Sequence, residues 1–347
     1  MNDVGEMKQF AAAHASAMNI HHSPEVLARI RTDDEGAPGS WAWEWGQAAG
    51  TQLREGHLLS ACQHYILARF PYVDGLTRQE ASSRSVHAFD RWRQAETDIQ
   101  PLDVSLPGGR VRCWTTGLSA ARPLPLLLVM GGIISVKEQW APILAQAERL
   151  GMAGVVTEMP SVGENTLRYD AESWRMLSGV LDAVGDRADV AHTYAMALSF
   201  SGHLALRCAI DDARIRGIVT IGAPVSDFFT NAAWQRNLPR ITVDTLAYLT
   251  GVQAADLADH MSGWALTAGQ LETLDIPVCY LASLRDEIIP GSDVQRLRDH
   301  VRDLRLAEND DVHGSPHHVA ESQLWVISST LQMRGLPTAD RLARGTA

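Results

Sequence analysis

From about Asp103 onward, short apolar runs alternate with helical periods, the arrangement that builds a sheet covered by helices on both faces. Eight runs read as strands: DVSL (103–106), VRCWTT (111–116), LPLLLVM (124–130), AGVVTEM (153–159), AHTYAMAL (191–198), RGIVTIG (216–222), IPVCYLA (276–282) and LRLAE (304–308). The first two flank Pro107, Gly108 and Gly109 and read as an antiparallel hairpin. Helix-length segments separate the later runs and suit right-handed parallel crossovers. One such segment places Trp140, Ile143, Leu144, Ala147 and Leu150 on a single helical face.

Before residue 100 the pattern is helical throughout. Leu58, Leu59, Cys62, Tyr65 and Ile66 repeat at helical spacing after Gly56, and Phe70-Pro71 closes the stretch. Residues 1–100 therefore read as a helical accessory or lid domain, and 101–335 as the α/β core. Within the core, about 226–274 separates two strands and carries Trp234, Leu246, Tyr248, Leu257 and Trp264. That is too long for a simple loop, so it predicts a helical insertion lying over the strand ends as a cap. The closing stretch GLPTADRLARGTA has no apolar period, which predicts a frayed tail at 336–347.

Composition narrows the function. The 347 residues are 46% hydrophobic and 20% charged, with a formal charge of −11. Two lysines, Lys8 and Lys137, accompany scattered arginines with no basic stripe, so neither a nucleic-acid nor a membrane partner is expected. Cys62, Cys113, Cys208 and Cys279 lie far apart without a CxxC pair, which predicts a reduced, cytoplasmic chain. The N-terminal MNDVGEMKQFAAAHASAMNIHH has no signal-peptide run, and the longest apolar run, Leu124 to Ile134, is too short to span a bilayer. No metal and no cofactor are expected. His317 and His318 are adjacent without a partner at ligand spacing, and Gly131-Gly132 fits neither a P-loop nor GxGxxG.

Three strand ends carry residues suited to chemistry. AHTYAMAL runs into Ser199-Phe200-Ser201-Gly202 and then a helix, the context of a nucleophile elbow, with Ser199 as nucleophile. Small residues are needed two positions either side; here they are Ala197 and Ser201, neither of them glycine. The same pattern also fits a small-residue turn without chemistry. After IPVCYLA, Asp286 stands where an acid that orients a histidine belongs, although an Asx turn before Pro290 accounts for it equally. After the last strand, the loop NDDVHGSPHH offers His313 as base, with His317 second. A serine hydroxyl is a weak nucleophile, an imidazole titrates near neutrality and can take its proton, and a carboxylate sets the imidazole tautomer. The order Ser, Asp, His on separate strand ends is what joins them. Two oxyanion donors complete the set: the Phe200 N–H, and one from Ile133 or Ile134 after LPLLLVM.

Together, GGIISVKEQW (131–140), EMPSVGEN (158–165), ALSFSGH (197–203), DEIIP (286–290) and the late histidine resemble the FrsA-like α/β-hydrolases. Trp41, Trp45, Gly56-His57, Ala61, Tyr65 and Phe70 extend the resemblance into the family's N-terminal helical domain, which closes over the active site. The resemblance implies an α/β-hydrolase fold with a mostly parallel eight-stranded sheet, and a homodimer as one assembly state. It also implies a Ser199, Asp286 and His313 triad cleaving esters or C–C bonds beside carbonyls, as in alkaloid and polyketide metabolism. Ala197 and Ser201 replace elbow glycines, while Glu158, Met159 and Ser161 replace the family's Asp, Gly and Gly.

The leading expectation is a serine hydrolase acting on a carbonyl of a medium-sized, largely apolar, polyketide-like small molecule held between the core, the helical domain and the 226–274 cap. A lyase of the same fold, using the Ser-His pair as general base to expel a leaving group such as acetate, is the alternative. A catalytically inactive binding module is the third.

Overall fold

The computed structural model describes residues 2–147 and 150–336, so all of the expected tail except Leu336 lies outside the described residues. Its strands are β1 (Gln100–Leu106), β2 (Gly109–Thr116), β3 (Pro125–Met130), β4 (Ala153–Thr157), β5 (Asp189–Ala197), β6 (Ile215–Ile221), β7 (Val278–Ser283) and β8 (Leu304–Asn309). They form one sheet in the order β1-β2-β4-β3-β5-β6-β7-β8. β1 and β2 make the antiparallel hairpin, β2 runs antiparallel to β4, and every later pairing is parallel. This is the α/β-hydrolase-like architecture. The central strands β4 and β7 are buried along their whole length, which is why they read as continuous apolar runs; edge strand β8 is only half-buried.

The strand order itself positions the site. β3 lies between β4 and β5, so the chain reverses direction across the sheet there, and the loops leaving β3 and β5 meet beside Met130 and Ala197. On the other side, β7 and β8 pair up to Ser283 and Asn309, which brings their following loops together.

Helices α1 (Val4–Ala17), α2 (Ser23–Arg29), α3 (Trp41–Arg54), α4 (Leu58–Ala68) and α5 (Leu76–Glu96) precede the sheet. The face predicted over 140–150 is not one helix. Pro142 has no N–H to give, and the chain there forms α6 (Lys137–Trp140), a 3₁₀ turn (Ala141–Ile143) and α7 (Leu144–Ala147). Leu144 and Ala147 are nonetheless buried. α8 (Arg175–Val184) and α9 (Phe200–Asp211) flank β5.

Between β6 and β7 come α10 (Asp227–Thr230), α11 (Ala232–Gln235), α12 (Arg240–Thr250), α13 (Leu257–Met261) and α14 (Ala268–Glu272); α15 (Gly291–His300) and α16 (Val319–Met333) complete the order. The insertion is pinned where it leaves the sheet. The buried Asp293 carboxylate of α15 accepts the N–H groups of Val225 at 2.8 Å, Ser226 at 3.0 Å and Asp227 at 2.6 Å. It is also joined to the N-terminal helices. Glu6 of α1 accepts the Arg240 and Ile241 N–H groups at 3.1 and 2.8 Å, placing a carboxylate on the positive end of α12. Tyr72 stacks on Tyr248 with ring centroids 4.7 Å apart. Helices from both segments thus form a single roof over the carboxyl ends of the strands.

Candidate active site

At the end of β5 the backbone turns sharply. Ser199 has φ 57° and ψ −130°, a left-handed conformation that costs a non-glycine residue energy and tends to persist where surrounding contacts enforce it. Those contacts are present: the Ser199 N–H donates to Ile221 O at 2.8 Å, and the Gly202 N–H to Ser199 O at 2.8 Å. Ser201 fits in place of glycine because its Oγ is buried 2.9 Å from both the Met130 and the Leu198 carbonyl oxygens. Gly202 cannot take a side chain, since a Cβ there would lie 2.2 Å from Thr220 Oγ1.

Ser199 Oγ lies 2.9 Å from His313 Nε2, and His313 Nδ1 lies 2.9 and 3.0 Å from the two Asp286 oxygens. The Nδ1 proton must face the carboxylate, so Nε2 is left as the acceptor for the serine hydroxyl. Asp286 also makes the Asx turn that the sequence allowed: its Oδ1 accepts the Ile288 and Ile289 N–H groups at 2.9 and 2.8 Å. The turn and the contact to His313 use one carboxylate. Burial of His313 disfavours its cation, but the charge and hydrogen bond of Asp286, with the charge of Glu287, outweigh it and raise its pKa above the usual 6.5. Glu287 also accepts the His313 N–H at 3.0 Å.

His317, the second candidate, is mostly exposed and turns its Nδ1 to Asp311 at 2.8 Å instead of to Ser199. His318 binds the same carboxylate at 3.0 Å, and Asp311 further accepts the Val312 and His317 N–H groups. This buried carboxylate shapes the loop that presents His313.

The loop after β3 passes close to the serine. A Cβ on Gly132 would stand 3.1 Å from Ser199 Cβ and 3.4 Å from its Oγ, so this glycine serves close approach as well as the turn. The Ile133 and Ile134 N–H groups donate to no backbone carbonyl among the described residues, and both residues line the cavity. Phe200 opens α9, so its N–H is one that a helix leaves unbonded.

Behind this loop lies a charge cluster. Lys137, fully buried, pairs with Glu138 at 2.9 Å, Glu158 at 3.2 Å and Glu164 at 2.8 Å. Burial alone would lower the ammonium's pKa, but Glu138, Glu158 and Glu164 together raise it. Burial also raises Glu158, partly opposed by Lys137. Glu158 further accepts the Lys137 and Glu164 N–H groups at 3.0 and 2.7 Å, tying the start of α6 to the segment after β4. Ser161 in that segment has φ 63°, a left-handed position where the family pattern has glycine.

Ser199, His313 and the loop after β3 open on a cavity of about 180 Å³. Its walls include Phe10, Ala13, His14 and Ala17 from α1, Ile241, Thr242 and Thr245 from α12, and Trp140, Leu198, Ile221, Ile288, Pro316 and Val319, together with Ser199 and His313. α1 contributes cavity wall and Arg69 holds the β3 loop through Ile134 O, neither of them marked in the sequence. Arg69 is buried without a carboxylate partner among the described residues, and its guanidinium donates to the Ile134 and Pro71 carbonyls at 3.2 and 2.7 Å. Nothing in the local pattern around His14 or Arg69 marks them, because only the folding of the helical segment onto the sheet brings them to the site. Among the described residues, no cluster of His, Cys, Asp and Glu could hold a metal ion, and no helix is long and apolar enough to cross a membrane.

Residues 38–298 match the family described as Esterase FrsA-like. The chain belongs to the FrsA-like esterase family. The matched segment includes Ser199 and Asp286 and ends before His313. Esterase FrsA of Vibrio vulnificus is 24% identical over 307 residues, covering 78% of this chain and 74% of that protein. The structure of AbyA5 superposes with a TM-score of 0.95 at 52% identity, covering 99% of this chain and 98% of that one. A 2,6-dihydroxy-pseudo-oxynicotine hydrolase superposes with a TM-score of 0.71 at 19% identity over 92% of this chain and 96% of its own, a likeness of fold. FrsA-like membership thus accords with the β3 and β5 loop sequences and with the helices that precede the sheet.

Proposed function

We propose that this FrsA-like chain is a serine hydrolase that cleaves an ester, or a C–C bond beside a carbonyl, in a medium-sized and largely apolar metabolite of the polyketide kind. The observation that carries the reading is the continuous contact from Ser199 Oγ through His313 to Asp286 at the end of an apolar cavity. His313 Nε2 takes the Ser199 proton as Oγ attacks the substrate carbonyl, and Asp286 stabilises the imidazolium that results. The Phe200 N–H, with that of Ile133 or Ile134, receives the developing oxyanion. His313 then returns the proton to the leaving group, and water attacks the acyl-enzyme by the same route in reverse. The largely apolar walls exclude water and strengthen these interactions, and they suit an apolar substrate better than a polyanionic one.

A fluorophosphonate probe tests the reading. Intact mass and peptide mapping should find one adduct, on Ser199, lost in Ser199→Ala and strongly slowed in His313→Ala. A folded protein that stays unlabelled and turns over no p-nitrophenyl ester would sink it. The raised basicity of His313 favours one second reading, a lyase in which the Ser199-His313 pair removes an acidic proton and expels a leaving group such as acetate. Labelling at Ser199 without turnover of any ester would move the assignment towards that reaction.

A further inference from the structure

The turn that leaves β3 faces the nucleophile and is braced from behind by the helical segment. Gly132, Ile133, Ile134 and Ser135 all line the cavity with Ser199. The Ser135 N–H donates to Gly132 O at 3.1 Å, which closes a β-turn with Ile133 and Ile134 at its corners. Their N–H groups are the ones that the turn leaves for a substrate oxygen. Arg69, the residue that ends α4, donates from its guanidinium to Ile134 O at 3.2 Å. The peptide unit joining Ile134 to Ser135 is therefore held on both sides, its N–H inside the turn and its carbonyl by Arg69. The same guanidinium donates to Pro71 O at 2.7 Å, so it ties the turn to the chain that follows α4.

A cation is a costly way to hold two carbonyls. Arg69 is 2% exposed, its Nε has no hydrogen-bond partner among the described residues, and neither does it contact a carboxylate among them. A neutral donor would meet the same carbonyls without the desolvation of a charge. Burial above all lowers its pKa, to about 10, which leaves it charged near neutrality; the charges of Glu158 and Glu138 support it from a distance, while both carboxylates pair with Lys137. What a fixed cation adds is a field, and the group that gains from it is a negative charge developing at the turn in front of it.

We propose that Arg69 is a positioning residue for the oxyanion site: it holds the 132–135 turn with the Ile133 and Ile134 N–H groups presented to the substrate oxygen, and its charge favours the anionic intermediate over the neutral ester. This rests on the hydrolase reading. The helical segment then takes part in the chemistry as well as enclosing the substrate. Acylation and deacylation both pass through an oxyanion, so loss of Arg69 slows both steps and falls on kcat.

The test follows p-nitrophenyl ester turnover in wild type, Arg69→Met and Arg69→Lys, with inhibition by an alkyl trifluoromethyl ketone and by the matching methyl ketone. Ser199 Oγ adds to the trifluoromethyl ketone carbon, the hydroxyl proton passes to His313 and the carbonyl oxygen becomes an anion, whereas the methyl ketone binds without reacting. In Arg69→Met, kcat should fall by about 10²-fold, the scale of one lost oxyanion donor, and KM should change by less than about twofold. Inhibition by the trifluoromethyl ketone should weaken in step with kcat/KM while that by the methyl ketone is kept. Arg69→Lys keeps the charge but reaches one carbonyl at a time, so it should fall between. The midpoint of the kcat/KM pH profile should not move, since Asp286 and Glu287 set the basicity of His313. A folded Arg69→Met that keeps kcat, weakens both ketones alike or shifts that midpoint overturns the assignment and leaves the hydrolase reading standing. Should Arg69→Met fail to fold, Arg69→Lys decides by the same comparison of the two ketones. If wild type neither labels at Ser199 nor turns over an ester, the hydrolase reading fails and this assignment fails with it.

Discussion

Two imidazoles face one cavity, and their surroundings drive them in opposite directions. His313, on the loop after β8, gains the charges of Asp286 and Glu287 and becomes a stronger base than a free histidine. His14, on α1, meets burial, the Arg69 guanidinium and His313, and stays neutral down to about pH 4. The same side chain is thus made more basic in one place and held neutral in the other, and with both rings buried it is neighbouring charge that separates them. The sheet carries Ser199, Asp286 and His313 on its loops, and the helical segment contributes cavity wall through α1.

The largest break comes at the reacting end. Ser199→Ala should reduce ester turnover by about 10⁵-fold, measured as kcat with an oxygen-ester substrate, while His14 variants retain a measurable rate. Asp286→Asn should keep the fold but present the wrong His313 tautomer, lowering kcat by about 10⁴-fold. Lys137→Ala leaves Glu138, Glu158 and Glu164 facing one another in a buried site, and should lower unfolding free energy by about 3–5 kcal/mol in urea titration. The smallest effect separates the two histidines by pH. His313 must be neutral to accept the serine proton, so kcat/KM should rise with pH through a midpoint above 6.5. Glu287→Gln should move that midpoint down, since its charge favours the imidazolium. His14 should add no step near neutrality; a limb that moved with His14→Gln would undo the contrast.

Much of this was legible beforehand. Eight strands fall within a few residues of their expected places because apolar runs and their turn residues are local signals. Ser199, Asp286 and His313 were readable because each follows a strand, and the carboxyl ends of parallel strands share one edge of the sheet. The broken helix at Pro142 was misread, since the apolar spacing continues across a proline that the backbone cannot pass unchanged. The choice between His313 and His317 could not be made from spacing, because both sit in one polar loop. In the structure it is His313 that lies 2.9 Å from Ser199 Oγ, while His317 turns its Nδ1 to Asp311 at the exposed face of the loop.

The sheet, most of its helices and the order of Ser199, Asp286 and His313 follow from the chain alone, because short-range periodicity and strand-end position carry that information. Tertiary structure alone decided what surrounds them. His14 and Thr245 lie on two different helices, α1 and α12, and no pattern along the chain states that they will line one cavity. Their roles depend on burial and on charges brought near by folding, and those are properties of distance in space, not of distance in sequence.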